Sequence, residues 1–223
     1  MKLNISENFL ILALHPEKPH FIVTQPALNA GFIGAVFLDL SVTQQIEMQD
    51  ATIVVTSQKQ PATGVEGKIL KTISDSQKPR KAKRWIAKFS QKARRYRLEV
   101  MEKLEKNGFV KIEHRSFLFI PYHRFRLINK PYRIQLAMDL RNAIIQGKTD
   151  DQRKAALLGL VKACKMQKTL STDRNDLAVI KKKLKALEEK EPISEGVDKV
   201  IREMQAAIVG AVVASSVAAT SSH

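Results

Sequence analysis

The spacing of apolar residues along the chain predicts a mainly helical protein. Asn4 and Glu7 have the spacing of a capping box, which predicts a first helix from Ile5 to Leu14. Further along, apolar side chains recur every three or four residues, as they do on one face of a helix. The segments with this period are residues 24–40, 65–74, 78–106, 132–146, 152–164 and 176–190, followed by a last helix that opens at residues 193–194.

Two other stretches carry β-branched and aromatic residues in short runs, and each predicts a β-hairpin. The first hairpin joins residues 42–48 to residues 51–57. The second extends over residues 109–126 and turns at the polar pair His114 and Arg115.

These elements predict a mainly α fold with one domain over residues 1–223. We expect a helical bundle with surrounding amphipathic helices and one or two β-hairpins. A content of 44% hydrophobic residues is sufficient for a substantial core. We also expect a disordered tail over residues 214–223, where the sequence is rich in Ala, Ser and Val.

Positive charge is concentrated in residues 78–97, which carry ten Lys or Arg and no Asp or Glu. We expect this segment to begin one basic helix over residues 78–107. Arg94 and Arg97 are three residues apart, so they are neighbours on a helix, and we expect that both can reach one phosphate group. A second row of cations flanks the apolar face at helical spacing: Lys81, Arg84, Lys88, Lys92 and Arg95. These seven residues are the predicted phosphate-binding or lipid-binding set.

The overall charge favours a polyanionic partner. The chain has 38 Lys and Arg against 22 Asp and Glu, which gives a formal net charge of +16. Nucleic acid and an anionic membrane surface both attract clustered cations, through long-range attraction and counterion release.

Catalytic chemistry has no recognisable motif in the sequence. The five histidines are scattered, and we find no glycine-rich phosphate loop, no metal-ligand histidine cluster and no nucleophile elbow. The single cysteine, Cys164, excludes an internal disulfide framework and a thiolate zinc site. We therefore expect no catalytic residues, no metal and no cofactor, and we predict that the protein is not an enzyme.

Several segments together resemble the Golgi phosphoprotein 3 family of peripheral membrane proteins. They are the opening helix 5–14, the sequence GFIGAVFLDL at 31–40, the turn 61–64, the progression 94–119 and the start of a late helix at 176–178. The resemblance lies in the order and spacing of these segments and covers most of the chain.

This resemblance implies a helical domain with a protruding β-hairpin that binds phosphatidylinositol 4-phosphate through a basic pocket. It also implies that the protein holds the cytoplasmic tails of membrane proteins and lies peripherally on the cytoplasmic face of a membrane, which is the Golgi in a eukaryote. The hairpin of the family mediates self-association, so a homo-oligomer is expected. The corresponding apolar residues here are Phe117, Phe119, Ile120, Tyr122 and Phe125.

The family's lipid pocket can be transferred to this sequence only in part. Its pair of arginines falls on Arg94 and Arg97. Its early Trp falls near Thr24 and its early Arg on Ile33, so both of these pocket positions are substituted.

We therefore predict a peripheral membrane adaptor that binds anionic phospholipid headgroups. The alternative is a nucleic-acid-binding protein of winged-helix type, because a basic helix followed by a two-stranded hairpin is also typical of that module. The predicted helix, at more than twenty residues, is long for a recognition helix. A further alternative is a structural interaction protein whose charge serves solubility.

Overall fold

The structure is a computed structural model that describes residues 2–56, 63–76, 78–149, 151–189 and 195–220. The helices are α1 Ile5–Ala13, α2 Gln25–Val42, α3 Gly64–Ser74, α4 Ala82–Ser90, α5 Ala93–Lys106, α6 Lys130–Gln146, α7 Gln152–Ala163, α8 Arg174–Glu189 and α9 Glu195–Thr220, with a short 3-10 helix at Gln167–Leu170. The strands are β1 Ile46–Gln49, β2 Thr52–Val55, β3 Arg80–Lys81, β4 Val110–Phe117 and β5 Ile120–Leu127. The predicted mainly α fold with small hairpins is confirmed.

The core is built around α2, which packs against α1, α4, α7 and α9. By length and composition α2 could cross a bilayer, but 72% of it is buried inside the protein, so it serves here as the central helix. α1 is buried along its whole length, and the capping box of Asn4 and Glu7 forms as predicted. The buried carboxylate of Asp39 on α2 also accepts hydrogen bonds from the first N–H groups of α1.

Gly31 lets α2 lie close to its neighbours. A Cβ atom at this position would collide with Cys164 Sγ and lie 2.6 Å from Phe9 Cζ. Cys164 is itself a buried core residue, and burial raises the pKa of its thiol to about 12. The absence of a side chain at position 31 is therefore a packing requirement between α1, α2 and the end of α7.

The predicted single basic helix over residues 78–107 is wrong, because its first residues include the short strand β3 and the rest forms two helices. α4 ends at Ser90 and α5 begins at Ala93. α4 packs on α2 and α9, whereas α5 packs on α1, α2, α3 and β4, so one straight helix could not bury both apolar faces. The aromatic residues continue across the break, since Phe89 stacks on Trp85 and also contacts Tyr96.

The first hairpin is confirmed, with shorter strands than predicted. β1 pairs with β2, and both turn residues, Asp50 and Ala51, have positive φ. β3 adds a third antiparallel strand, which the sequence pattern had placed within the basic helix. Residues 61 and 62 of the predicted turn at 61–64, and residues 57–60 before it, lie outside the described residues.

The second hairpin forms, but its predicted turn is wrong. His114 and Arg115 lie within β4 and pair with His123 and Tyr122 of β5. The turn is made by Leu118 and Phe119, with φ of 46° and 65°. Two positive-φ residues are what a tight hairpin requires, although glycine or asparagine usually fills such positions.

The last helix is described from Glu195, so its predicted start at residues 193–194 lies outside the described part of the chain. α9 continues to Thr220, which means that a helix covers residues 214–220 of the segment predicted to be a disordered tail. Residues 221–223 are also outside the described ranges.

Candidate anion-binding cavity

A cavity of about 1170 Å³ opens between three parts of the chain. One wall is the segment that connects α1 to α2, another is the start of α5, and the third is β5. The lining residues are Lys18, Pro19, His20, Phe21, Val23, Gln25, Gln91, Lys92, Arg94, Arg95, Arg97, Leu98, Tyr122, His123, Arg124 and Phe125.

The lining of this cavity is strongly basic. Six of its residues are Lys or Arg, and among the described lining residues there is no Asp or Glu. A concave surface with one sign of charge and protein walls concentrates the electric field and attracts counterions. The cavity is therefore suited to an anion.

Arg97 is the buried cation of the cavity, with only 4% of its surface exposed. Its guanidinium lies over the ring of Phe21, 5.8 Å from the centroid. One terminal nitrogen donates to Asn29 Oδ1, and the other donates to Gln25 Oε1 at 3.3 Å. Burial, together with the nearby charge of Arg94, lowers the pKa of Arg97 to about 10, so the side chain is still charged at neutral pH.

No carboxylate among the described residues forms an ion pair with Arg97, and its Nε has no hydrogen-bond partner there. A buried charge without a counter-charge is costly, because desolvation is not offset by attraction. The partly buried Arg141, by contrast, binds the carboxylate of Asp176 at 2.8 Å. Arg97 thus lacks a negative partner that a bound anion would provide.

Two helix N-termini add to this positive potential. Gln25 begins α2 and Lys92 precedes α5, and both residues line the cavity. Neither helix has a side-chain cap or an acidic residue in its first turn. The positive ends of the two helix dipoles therefore favour a negative group.

The structure separates the predicted cations into two groups. Arg94, Arg97, Lys92 and Arg95 line the cavity, whereas the three predicted residues of the preceding segment do not. Those three are Lys81, Arg84 and Lys88. Lys81 lies in β3, and Arg84 and Lys88 lie on α4, before the break, whereas the cavity is lined from Gln91 onwards.

Of the two substituted family positions, one lies in the core and the other lies beside the cavity. Ile33 is fully buried in the middle of α2 and packs in the core, so this position does not reach the cavity. Thr24 is the exposed N-cap residue of α2 and lies between Val23 and Gln25, which line the cavity.

The sequence did not assign Lys18, Arg124, Gln25 or Asn29 to the site. Lys18 lies in a loop and Arg124 in a strand, each far along the chain from α5, so no local pattern connects them. The hydrogen bonds from Arg97 to Asn29 and Gln25 span 68 and 72 residues. Contacts of this range become visible only when the fold is known.

The hairpin residues named for self-association occupy two places. Phe117, Phe119 and Ile120 are at the tip with Leu118, and Phe119 is completely exposed. Tyr122 and Phe125 instead line the cavity, where Phe125 packs against Phe21 at 5.7 Å between ring centroids. The same hairpin therefore carries an exposed apolar tip and one wall of the basic cavity.

The chain matches the model of a known protein family. The family model described as Golgi phosphoprotein 3 matches residues 5–204, which is nearly the whole chain, and the resemblance seen in the sequence is confirmed. No curated protein matches the chain. Within the described ranges there is also no group of three or more His, Cys, Asp or Glu that could hold a metal ion.

Proposed function

The chain belongs to the Golgi phosphoprotein 3 family, and from that premise we propose that it is a peripheral membrane protein whose basic cavity binds a phosphorylated lipid headgroup. The family is of the adaptor type and is associated with phosphoinositides and the Golgi. The preferred ligand of this chain is a phosphoinositide of the phosphatidylinositol 4-phosphate kind.

The observation that carries this proposal is the buried charge of Arg97. A phosphate group in the cavity would supply the missing counter-charge and accept charge-assisted hydrogen bonds from the guanidinium. Arg94 and Arg124 lie on the exposed part of the lining, where they are available to the remaining phosphate oxygens. A volume of about 1170 Å³ is also large enough for a phosphorylated inositol ring.

The apolar hairpin tip favours a lipid over a free phosphate compound. Phe117, Leu118, Phe119 and Ile120 are all exposed at the end of the hairpin whose β5 strand lines the cavity. At a rise of about 3.3 Å per residue, Arg124 is about 16 Å along the strand from Phe119. Aromatic and aliphatic side chains at the tip would enter the acyl boundary while the cavity meets the headgroups.

We further propose that the protein lies on the cytoplasmic face of a membrane, which is the Golgi in a eukaryotic cell, and holds the cytoplasmic tails of membrane proteins there. The hairpin supports a homo-oligomer, because β4 and β5 pair only with each other among the described strands. Nearer the tip than Ile112, whose N–H donates to Glu105 Oε1, their outer edges are available to a second copy.

The experiment is co-sedimentation with vesicles of phosphatidylcholine alone, with added phosphatidylserine, or with added phosphatidylinositol 4-phosphate. Arg94→Ala and Arg124→Ala test the cavity, and Arg84→Ala on α4 is the matched control outside it. We expect phosphoinositide-selective binding that falls about tenfold or more in the cavity variants, because each removes a charged hydrogen-bond partner. The control loses only the general attraction, about fivefold, of one surface cation.

Equal losses in all three variants would contradict the cavity assignment and indicate charge-driven binding without a specific site. Duplex DNA is included as a competitor. A wild-type protein that ignores every vesicle and binds the duplex would contradict the proposed function and favour the winged-helix alternative.

A further inference from the structure

Two neutral amide side chains of α2 hold the buried arginine of the cavity. Asn29 Oδ1 accepts a hydrogen bond from one terminal nitrogen of Arg97, and Gln25 Oε1 accepts one from the other at 3.3 Å. The two amides are four residues apart, so they lie on the same face of α2, one turn from each other. Together with the ring of Phe21 they fix the guanidinium on three sides.

The amides at positions 25 and 29 accept hydrogen bonds from Arg97 without neutralising its positive charge. A carboxylate of the same shape would bind the guanidinium more strongly, because the hydrogen bond would be assisted by both charges. Arg126 and Arg141 of this protein are both bound in that way, each at 2.8 Å from a carboxylate oxygen. A carboxylate at position 25 or 29 would also neutralise Arg97 and leave little positive charge for a ligand.

We infer that Asn29 and Gln25 are positioning residues of the headgroup site, which orient Arg97 and leave its charge uncompensated for a phosphate group. This inference rests on the proposed function. It assigns the affinity of the site for phosphate to the neutrality of the two amides as much as to the arginine itself. Neither residue needs to touch the ligand for this role.

Asn29→Asp is the decisive variant, because it keeps the size of the side chain and the acceptor oxygen and adds only a negative charge. We expect at least a tenfold loss of binding to phosphatidylinositol 4-phosphate vesicles, with a melting temperature equal to or above that of the wild type. Gln25→Glu has the same expected direction. Asn29→Ala is the contrast, since it removes the hydrogen bond without adding charge and should lower the melting temperature.

Phosphatidylserine vesicles and inorganic phosphate provide two further readouts. Asn29→Asp should retain binding to phosphatidylserine vesicles through the cations of α4, so the variant loses selectivity rather than membrane affinity in general. Thermal stabilisation of the wild type by inorganic phosphate should also disappear in this variant. If Asn29 had only a structural role, an Asn29→Asp variant with an unchanged melting temperature would keep both its phosphoinositide selectivity and its thermal stabilisation by inorganic phosphate.

The outcomes separate the inference from the function on which it rests. Selective binding by Asn29→Asp equal to that of the wild type overturns the inference and leaves the proposed function intact. Parallel losses of binding and melting temperature in Asn29→Asp and Asn29→Ala also overturn it, because they indicate a structural role. Absence of phosphoinositide-selective binding in the wild type overturns the proposed function and the inference together.

Discussion

The guanidinium of Arg97 lies over the ring of Phe21, so a residue of α5 is joined to the segment between α1 and α2. Phe21 is itself held by a β-bridge to Leu14 and by ring contact with Phe125 of β5. The three walls of the cavity therefore meet at this aromatic ring.

Replacement of Phe21 by leucine should weaken vesicle binding, because it removes the cation–π contact that helps to orient Arg97. The expected loss is about two- to fivefold, which corresponds to the usual strength of such a contact at a partly exposed site. The comparison is Phe125→Leu, which also removes one aromatic ring from the cavity lining but leaves the ring of Phe21 beneath the guanidinium. Equal binding by the two variants in a co-sedimentation titration would show that the contact does not contribute.

The hairpin tip should be required for membrane attachment and dispensable for folding. In the double variant Leu118→Asn and Phe119→Gly, the turn receives residues that favour positive φ, and the apolar tip is removed. We expect vesicle binding to fall and the melting temperature to stay the same or rise. Met138→Gln, which replaces an exposed apolar residue of α6, is the control and should bind normally. Unchanged vesicle binding by the tip variant would exclude membrane insertion of the tip.

Introduction of alanine at Gly31 should destabilise the core by about 1–3 kcal/mol, which is typical of overpacking. The added Cβ would collide with Cys164 Sγ and with the ring of Phe9. Urea unfolding measures the effect. Addition of Cys164→Ala should recover part of the loss, because it removes one of the two obstacles, and strictly additive destabilisation by the two substitutions would contradict this account.

Asp39 should make the stability of the protein depend on pH. Burial and the charge of Glu66 raise the pKa of Asp39 to about 7, against the effect of its hydrogen bonds from Ile5 and Ser6. The folded state therefore binds this proton more tightly than the unfolded chain, in which the pKa is 3.8. The free energy of unfolding falls as the pH rises through this interval, by at most about 1.4 kcal/mol per pH unit.

The variant Asp39→Asn lacks this titration and provides the comparison. We expect the free energy of unfolding of the wild type, minus that of the variant, to decrease from about pH 4 to about pH 7 and to level off above it. Urea unfolding at several pH values gives the difference directly. A difference that is constant across this interval would contradict the assigned titration.

Local patterns in the sequence were sufficient for most helices, because an amphipathic face and a cap are properties of neighbouring residues. The capping box of Asn4 and the buried face of α2 are examples. The break at Gln91 was not predictable in this way, since the cations and apolar residues keep their helical spacing across it. The break becomes apparent only in the folded structure, where α4 and α5 pack against different neighbours.

Less of the candidate site than of the helices could be predicted from the sequence. Arg94 and Arg97 stand together in the sequence, and both line the cavity. The turn of the second hairpin was misplaced because His114 and Arg115 are polar, whereas Leu118 and Phe119 are residues that seldom adopt positive φ. The amides that hold Arg97 are distant in sequence, and no pattern distinguishes them from other polar residues of a helix.

Because the predicted cations lie in two separate groups, different residues would determine how fast the protein associates with a membrane and how fast it dissociates. Lys81, Arg84 and Lys88 lie outside the cavity, so under the proposed function they would accelerate encounter with an anionic membrane, in a manner that salt suppresses. Arg97 is buried and meets a ligand only after the cavity is occupied, so it would govern the rate of dissociation. Residence time on the membrane and speed of recruitment would then be adjustable independently, by substitutions in α5 and in the preceding segment of β3 and α4.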